Sequence, residues 1–510
     1  MAHRYRTTLH ALLLPAVVCC LTTLAAQDAP GPRRILADIS APGIDRGART
    51  EALARPVARA APGGNGVDAR GTFAPRRLMI KFRGDTTPAA RQRVRNAAGA
   101  VASEQPTWAD FEVLTVETDD TEGTARRLRA LPDVEYAQVP YRAAARFVPD
   151  DPLYGLQWNL PLLDMPRAWD INPGADASIT VAVIDSGVAF QGGTLRFFGR
   201  TWRSPEGVLL PALGPVDVPF AAAPELGAGD RFVAPWDFVW NDDRPFDLDG
   251  HGTHVAGTLG ALTGNGVGVA GMAFNVRIMP VKVLDSAWDF AFGSPAVGTD
   301  DLVARGIRYA ADNGAQIINM SLGRIEGGPA TAVREAIAYA VSRGVFVVVS
   351  GGNEGLDGNQ PDRYAEFAPE IDGMVAVAAI GPDRSRAPYS TVGAYVELAA
   401  PGGSGGASGS ILQQTFDFDL TDTWTRRRGP YRAPRFDVFA YQPFQGTSMA
   451  APHVAGLAAM LMQQGITNPS AIEAAMKRFA TDLGPAGPDP EYGYGLINPR
   501  ASLRGLGLVR

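Results

Sequence analysis

The stretch Ile179-Thr180-Val181-Ala182-Val183-Ile184-Asp185-Ser186-Gly187 decides the fold. Its apolar run is bounded by an acid and a glycine turn, which reads as a buried strand whose end presents a carboxylate. Similar runs recur at 180–184, 277–283, 316–320, 345–349 and 374–379, with helical stretches between them. Strands alternating with helices imply an α/β fold with a mostly parallel central sheet, covered on both faces.

Two more glycine-rich stretches carry reactive side chains. They are Gly250-His251-Gly252-Thr253-His254-Val255-Ala256-Gly257 and Gly446-Thr447-Ser448-Met449-Ala450-Ala451-Pro452-His453. His251 opens a helical run over 253–261, and Ser448 precedes one over 450–462, with Pro452 in its first turn. A helix N-terminus carries partial positive charge, which favours an anion developing at Ser448. A serine hydroxyl needs a base to take its proton, and the base needs a carboxylate to hold its tautomer. Asp185, His251 and Ser448 supply the three parts in that chain order. His254 and His453 read as structural.

These motifs, in the order Asp, His, Ser, resemble those of the subtilisin-like serine proteases, the subtilases of peptidase family S8. The resemblance implies a subtilisin-like three-layer fold and a serine endopeptidase working through an acyl-enzyme on protein or peptide substrates. Val347-Val348-Val349-Ser350-Gly351-Gly352-Asn353-Glu354-Gly355 is similar to the family's oxyanion stretch, so Asn353 is expected to donate to the oxyanion beside the Ser448 amide. Asn319-Met320-Ser321-Leu322-Gly323 resembles the segment that pairs with the substrate backbone as an added strand. Ser321, Leu322, Gly323, Ser350, Gly351 and Gly352 are therefore expected to bind substrate. The bare Gly351 and Gly352 suggest a roomy, hydrophobic primary pocket.

Subtilases commonly hold structural calcium (Ca²⁺), which needs about six to eight hard oxygen ligands. Asp151 lies in a matching N-terminal stretch, and Asn265 in the loop Leu262-Thr263-Gly264-Asn265-Gly266-Val267-Gly268. A second acidic group, Asp237, Asp242, Asp243, Asp247 and Asp249, resembles another calcium loop. There, Trp240, Arg244 and Phe246 stand where oxygen ligands are expected.

Upstream, the sequence divides into 1–26, 27–73, 74–146 and 147–510. His3, Arg4 and Arg6 precede an apolar run that ends in Leu24-Ala25-Ala26, the pattern of an export signal peptide. The run is short for a membrane anchor, and Val18-Cys19 fits a lipoprotein site poorly. Cys19 and Cys20 are the chain's two cysteines, so a mature protein lacking the signal has no disulfide. Residues 27–73 are rich in Ala, Pro, Gly and Arg without a sustained period and read as a flexible linker or a loosely ordered pro-segment extension. Residues 74–146 show a βα…βαβ series, with strands at 77–82, 111–116 and 134–139 and helices at 88–98 and 122–131. It is similar to the α+β, ferredoxin-like inhibitory propeptides that precede subtilase domains, and implies a self-processing zymogen.

Of the 510 residues, 46% are hydrophobic and 20% charged, which fits a globular protein. Residues 1–150 hold 21 basic and 16 acidic side chains, a net +5, against 26 and 37, a net −11, in the rest. No basic, aromatic-interleaved patch points to nucleic acid. The reading is of an exported, extracellular monomer with no membrane span, whose partners are its substrates and its own propeptide. A fold retained without turnover, or a narrow-specificity processing protease, are the rival readings. Two insertions, 190–235 and 402–442, are expected as loops near the cleft.

Overall fold

The computed structural model describes residues 76–141, 147–199, 202–203, 209–210, 213–285, 296–421 and 434–506. The expected signal peptide, the linker and residues 142–146 lie outside these residues. The described chain falls into two compact units, one built from Val148–Leu503 and one within Pro42–Phe147.

The smaller unit runs β1 (Arg77–Phe82), α1 (Pro88–Ala97), β2 (Ala100–Glu104), β3 (Glu112–Val116), α2 (Thr121–Arg129) and β4 (Val134–Gln138). Its antiparallel sheet has the order β2-β3-β1-β4. Leu78, Ile80, Leu114, Val116, Leu128 and Val134 form its core. Strand β2 was not expected from the sequence. Nearly all its residues are exposed, so no apolar alternation marks it.

The larger unit holds seven strands in the order β8 (Trp236–Asp237), β9 (Arg277–Lys282), β5 (Thr180–Asp185), β10 (Ile317–Met320), β11 (Phe346–Ser350), β12 (Met374–Ile380) and β13 (Leu398–Pro401). Every neighbouring pair is parallel. Strands β5, β10, β11, β12 and β13 are each buried, or nearly so, along their length, as a helix-covered parallel sheet requires. Helices α3 (His251–Gly260), α4 (Asp300–Asp312), α5 (Thr331–Ser342), α6 (Thr447–Gln463) and α7 (Pro469–Phe479) accompany the sheet. The chain leaves β5 to one side for β8 and β9, then returns to the other side for β10. Such a reversal opens a crevice at the carboxyl ends of the strands.

The insertions are more than loops. Strands β6 (Gly193–Gly199) and β7 (Leu213–Phe220) pair antiparallel, as do β14 (Ile411–Phe416) and β15 (Phe439–Phe444). The Phe220 and Phe436 rings stack at 5.0 Å, and Phe220 lies 4.6 Å from Phe246. Thr415 Oγ1 donates to Gly250 O, which fastens the second insertion to the start of α3. Long-range aromatic packing of this kind leaves no periodic signature, which is why these stretches read as loops.

Candidate active site

Asp185 is the last residue of β5 and is fully buried. His251 is the first residue of α3, and its Nδ1 lies 2.8 Å from Asp185 Oδ1. The Ser186 amide donates to the same oxygen at 2.7 Å. This fixes the ring with its other nitrogen turned away from the carboxylate, the arrangement a general base needs.

Local chemistry explains why α3 starts at His251. Buried Asp247 accepts the Asp249 and Gly250 amides on Oδ1, and the Thr253 amide and hydroxyl on Oδ2. Ser186 Oγ donates to Asp247 and accepts the Gly252 amide, tying the end of β5 to the helix. Gly250 has φ 96°, where a side chain would strain the backbone. A side chain at Gly252 would collide with the Gly187 carbonyl. Asp249 Oδ1 accepts the His251 amide. Burial, with Asp247 and Asp185 nearby, pushes the Asp249 carboxyl up to about 6, against the opposing pull of His251.

Helix α6 begins at Thr447, so Ser448 lies inside its first turn rather than ahead of it. Pro452 therefore stands further into the helix than expected, and its missing N–H leaves the carbonyl four residues earlier, that of Ser448, without its helical donor. Ser321 Oγ takes that place at 2.7 Å, while Ser448 Oγ lies 3.2 Å from Ser321 O. The proline thus couples the nucleophile to the expected substrate-binding segment.

Asn353 Oδ1 accepts the Thr447 amide at 2.9 Å and the Thr447 hydroxyl at 3.0 Å. The point where a Gly446 side chain would begin lies 3.8 Å from Asn353 Nδ2 and 3.6 Å from the Ser448 amide nitrogen. Two N–H donors thus flank one empty spot beside the nucleophile.

Among the expected substrate contacts, Leu322 and Ser350 are buried, and Ser350 Oγ donates to Leu322 O. A side chain at Gly323 would occupy the place of the buried Asp362 carboxylate, which burial pushes up to about 7. Gly351 and Gly352 are glycine for a further reason. A Cβ there would lie 2.9 Å from Val377 O and 2.8 Å from Thr391 Oγ1, so packing against protein requires these glycines.

His254 Nε2 lies 3.1 Å from both Ile411 O and Gln442 O, and the ring stacks on Phe444 at 4.3 Å. His453 bridges Met449 O and Asn159 Nδ2. Burial pushes both imidazoles down, to about 3 and about 4, so they are neutral packing groups.

Residues 176–495 match the subtilase family, peptidase S8. The chain belongs to the subtilase family. Residues 59–139 match the fervidolysin N-terminal prodomain. A thermophilic serine proteinase of Bacillus sp. (strain AK1) is 30% identical over 84% of the chain and 87% of that protein. Thermitase of Thermoactinomyces vulgaris is 32% identical over 67% of the chain and 94% of its own length. Among solved structures, a protease from Pseudoalteromonas arctica superposes with a TM-score of 0.52 at 26% identity, over 70% of this chain and 99% of that one. Fervidolysin from Fervidobacterium pennivorans shares the fold, with a TM-score of 0.51 at 23% identity over 85% of this chain and 62% of that one. The subtilase is thus a subtilisin-like serine protease with a prodomain, and it acts on peptide bonds.

The two expected calcium loops of this subtilase differ. Asp151 is buried and accepts the Gly264 and Asn265 amides. Facing the same loop is Glu225, which the sequence reading missed. It is fully buried, Tyr441 donates to its Oε1 at 2.6 Å, and its Oε2 has no hydrogen-bond partner. Burial, with Asp151 adding like charge, pushes Glu225 up to about 8. Two buried carboxylates that repel each other, one with an orphan oxygen, fit a divalent cation completed by carbonyl oxygens. At the second loop, Asp237 Oδ1 accepts the Val239 and Trp240 amides, Asp242 accepts the Arg244 amide, and Phe246 lies in the aromatic cluster. With the Arg244 guanidinium 3.9 Å from Asp242 and a ring at 246, this loop lacks the oxygen set a cation needs, although Asp237 Oδ2 has no hydrogen-bond partner. Among the described residues, no three or more His, Cys, Asp or Glu side chains form a metal-holding group.

Proposed function

We propose that this subtilase is an exported endopeptidase, made as a zymogen that cuts itself between about Tyr141 and Asp150 and is then inhibited by its freed prodomain. Supporting the reading are the basic, signal-like start and the prodomain match at residues 59–139. No helix among the described residues is long and apolar enough to cross a membrane.

The observation that carries the chemistry is the 2.8 Å contact between His251 Nδ1 and Asp185, with Ser448 at a helix N-terminus beside Asn353. His251 takes the Ser448 proton as Oγ attacks the scissile carbonyl. Asp185 stabilises the imidazolium so formed. The Asn353 side chain and the Ser448 amide hold the oxyanion, His251 returns the proton to the leaving amine, and water repeats the sequence on the acyl-enzyme. Calcium, when bound by Asp151, Glu225 and carbonyls of the 262–268 loop, would neutralise the two buried carboxylates.

The test is the Ser448→Ala precursor. Wild type should shorten with kinetics independent of dilution and react with a serine-directed phosphonate at Ser448 alone, while the variant stays uncut. Trimming of the variant at the same bond without added protease would overturn self-processing.

A further inference from the structure

Strands β8, β9 and β5 end in register. Asp237 is the partner of Lys282, and Lys282 the partner of Asp185. Partners on neighbouring parallel strands share a face, so one rung carries an acid, a base and the catalytic acid in a row. All three residues are 0% exposed. The Lys282 ammonium donates to Ser186 O at 2.5 Å, one residue past Asp185. Asp185 Oδ2 has no hydrogen-bond partner, and neither has Asp237 Oδ2. A lone buried carboxylate tends to take up a proton, and a buried ammonium to lose one, unless opposite charge lies close. Here Lys282 stands between the two acids in the rung. Burial pushes the Asp237 carboxyl up to about 6, with Lys282 opposing.

We propose that Lys282 is a positioning residue, which holds the turn after Asp185 through the Ser186 carbonyl and sets a positive charge on the rung that carries the catalytic acid. The proposal rests on the proteolytic reading above. Lys282 touches no reacting atom and acts through Asp185 and the Ser186 carbonyl.

The sign of its effect follows from charge. The groups facing Asp185 are His251, Lys282 and Asp249, with Asp237 one strand further along the rung. Those facing His251 are Asp185, Asp249 and the neutral His254. The acid limb of kcat/KM reports protonation of the base in the free enzyme. Removing the Lys282 cation favours the imidazolium and moves that limb to higher pH. Removing the Asp237 anion disfavours the imidazolium and moves it to lower pH. A purely structural rung would cost stability and leave the limb in place.

The experiment measures kcat/KM against pH for wild type, K282M, K282R and D237N, each expressed as the full chain and corrected for titrated active sites. K282M should shift the acid limb upward by up to about one pH unit, the low end of what a neighbouring unit charge does. K282R should stay at the wild-type position, and D237N should shift downward by less than K282M shifts upward. A K282M enzyme that melts earlier with an unmoved limb overturns the proposal. If K282M does not fold, D237N decides, and an unmoved or upward-shifted limb there overturns it. Turnover by Ser448→Ala would instead sink the proteolytic reading, so the two failures are separable.

Discussion

Asn353 divides two tasks between the two atoms of its amide, and two substitutions can separate them. Oδ1 accepts both Thr447 donors, and Nδ2 faces the spot beside Gly446 that the Ser448 amide also flanks. Alanine removes both functions. Losing one oxyanion donor lowers kcat about 10²–10³-fold, or about 2.7–4 kcal/mol, a range drawn from subtilisin, a relative of this chain. Losing two hydrogen bonds at about 1 kcal/mol each also lowers stability by about 2 kcal/mol. Aspartate keeps an acceptor for Thr447 but replaces the donor with negative charge. Asn353→Asp should therefore melt near wild type and turn over more slowly than Asn353→Ala. Steady-state kinetics on a peptide amide, with active sites titrated and melting curves in parallel, read both effects. KM should change little, because the missing interaction is made with the oxyanion and not the ground-state carbonyl. The assignment is refuted if the loss appears in KM, or if Asn353→Asp retains more activity than Asn353→Ala.

Ser448→Ala should abolish peptide hydrolysis beyond a residual of roughly 10³–10⁴ over water, measured with the same substrate. Calcium should raise the melting temperature of the mature enzyme through binding to the folded state alone, and Glu225→Gln or Asp151→Asn should remove most of that gain. Equal calcium responses in wild type and both variants would rule out the site. The buried histidines predict a pH effect. Above pH 6.5 both states leave them neutral. As pH falls below 6.5, the unfolded imidazoles take protons while His254 and His453 resist down to about 3 and about 4. Stability should thus be full above pH 6.5 and fall by about 2 kcal/mol per histidine at pH 5. His453→Gln should flatten part of that slope in melting curves across this range. The freed prodomain should inhibit the mature enzyme in trans, less strongly at high salt if the charge difference between the two segments assists docking.

Local pattern made the catalytic frame readable. Strand β5 and the helices carrying His251 and Ser448 are contiguous, strongly apolar stretches with glycines where the backbone turns. Each announces itself within about ten residues. Strand β2 was silent because an exposed edge strand needs no apolar alternation. Pro452 was noticed, but its consequence depends on where the helix begins, and three residues there decide whether the Ser448 carbonyl belongs to the helix and is left without a donor. At Gly351 and Gly352 the sequence shows a missing side chain without showing that Val377 O and Thr391 Oγ1 stand where a Cβ would go.

Residues that act through partners far along the chain were the hardest to find. Glu225 meets Tyr441 across 216 residues, and nothing near Pro224-Glu225-Leu226 marks the acid as buried. Lys282 did leave a trace. It is the lone cation at the end of Ile278-Met279-Pro280-Val281, where a solvated lysine has no reason to stand. A charge inside an apolar strand needs polar partners, and Lys282 finds the Ser186 carbonyl, with Asp237 and Asp185 as its register partners. An odd residue in a buried strand thus points to counter-charges on its rung. One of those counter-charges is the acid that orients the base.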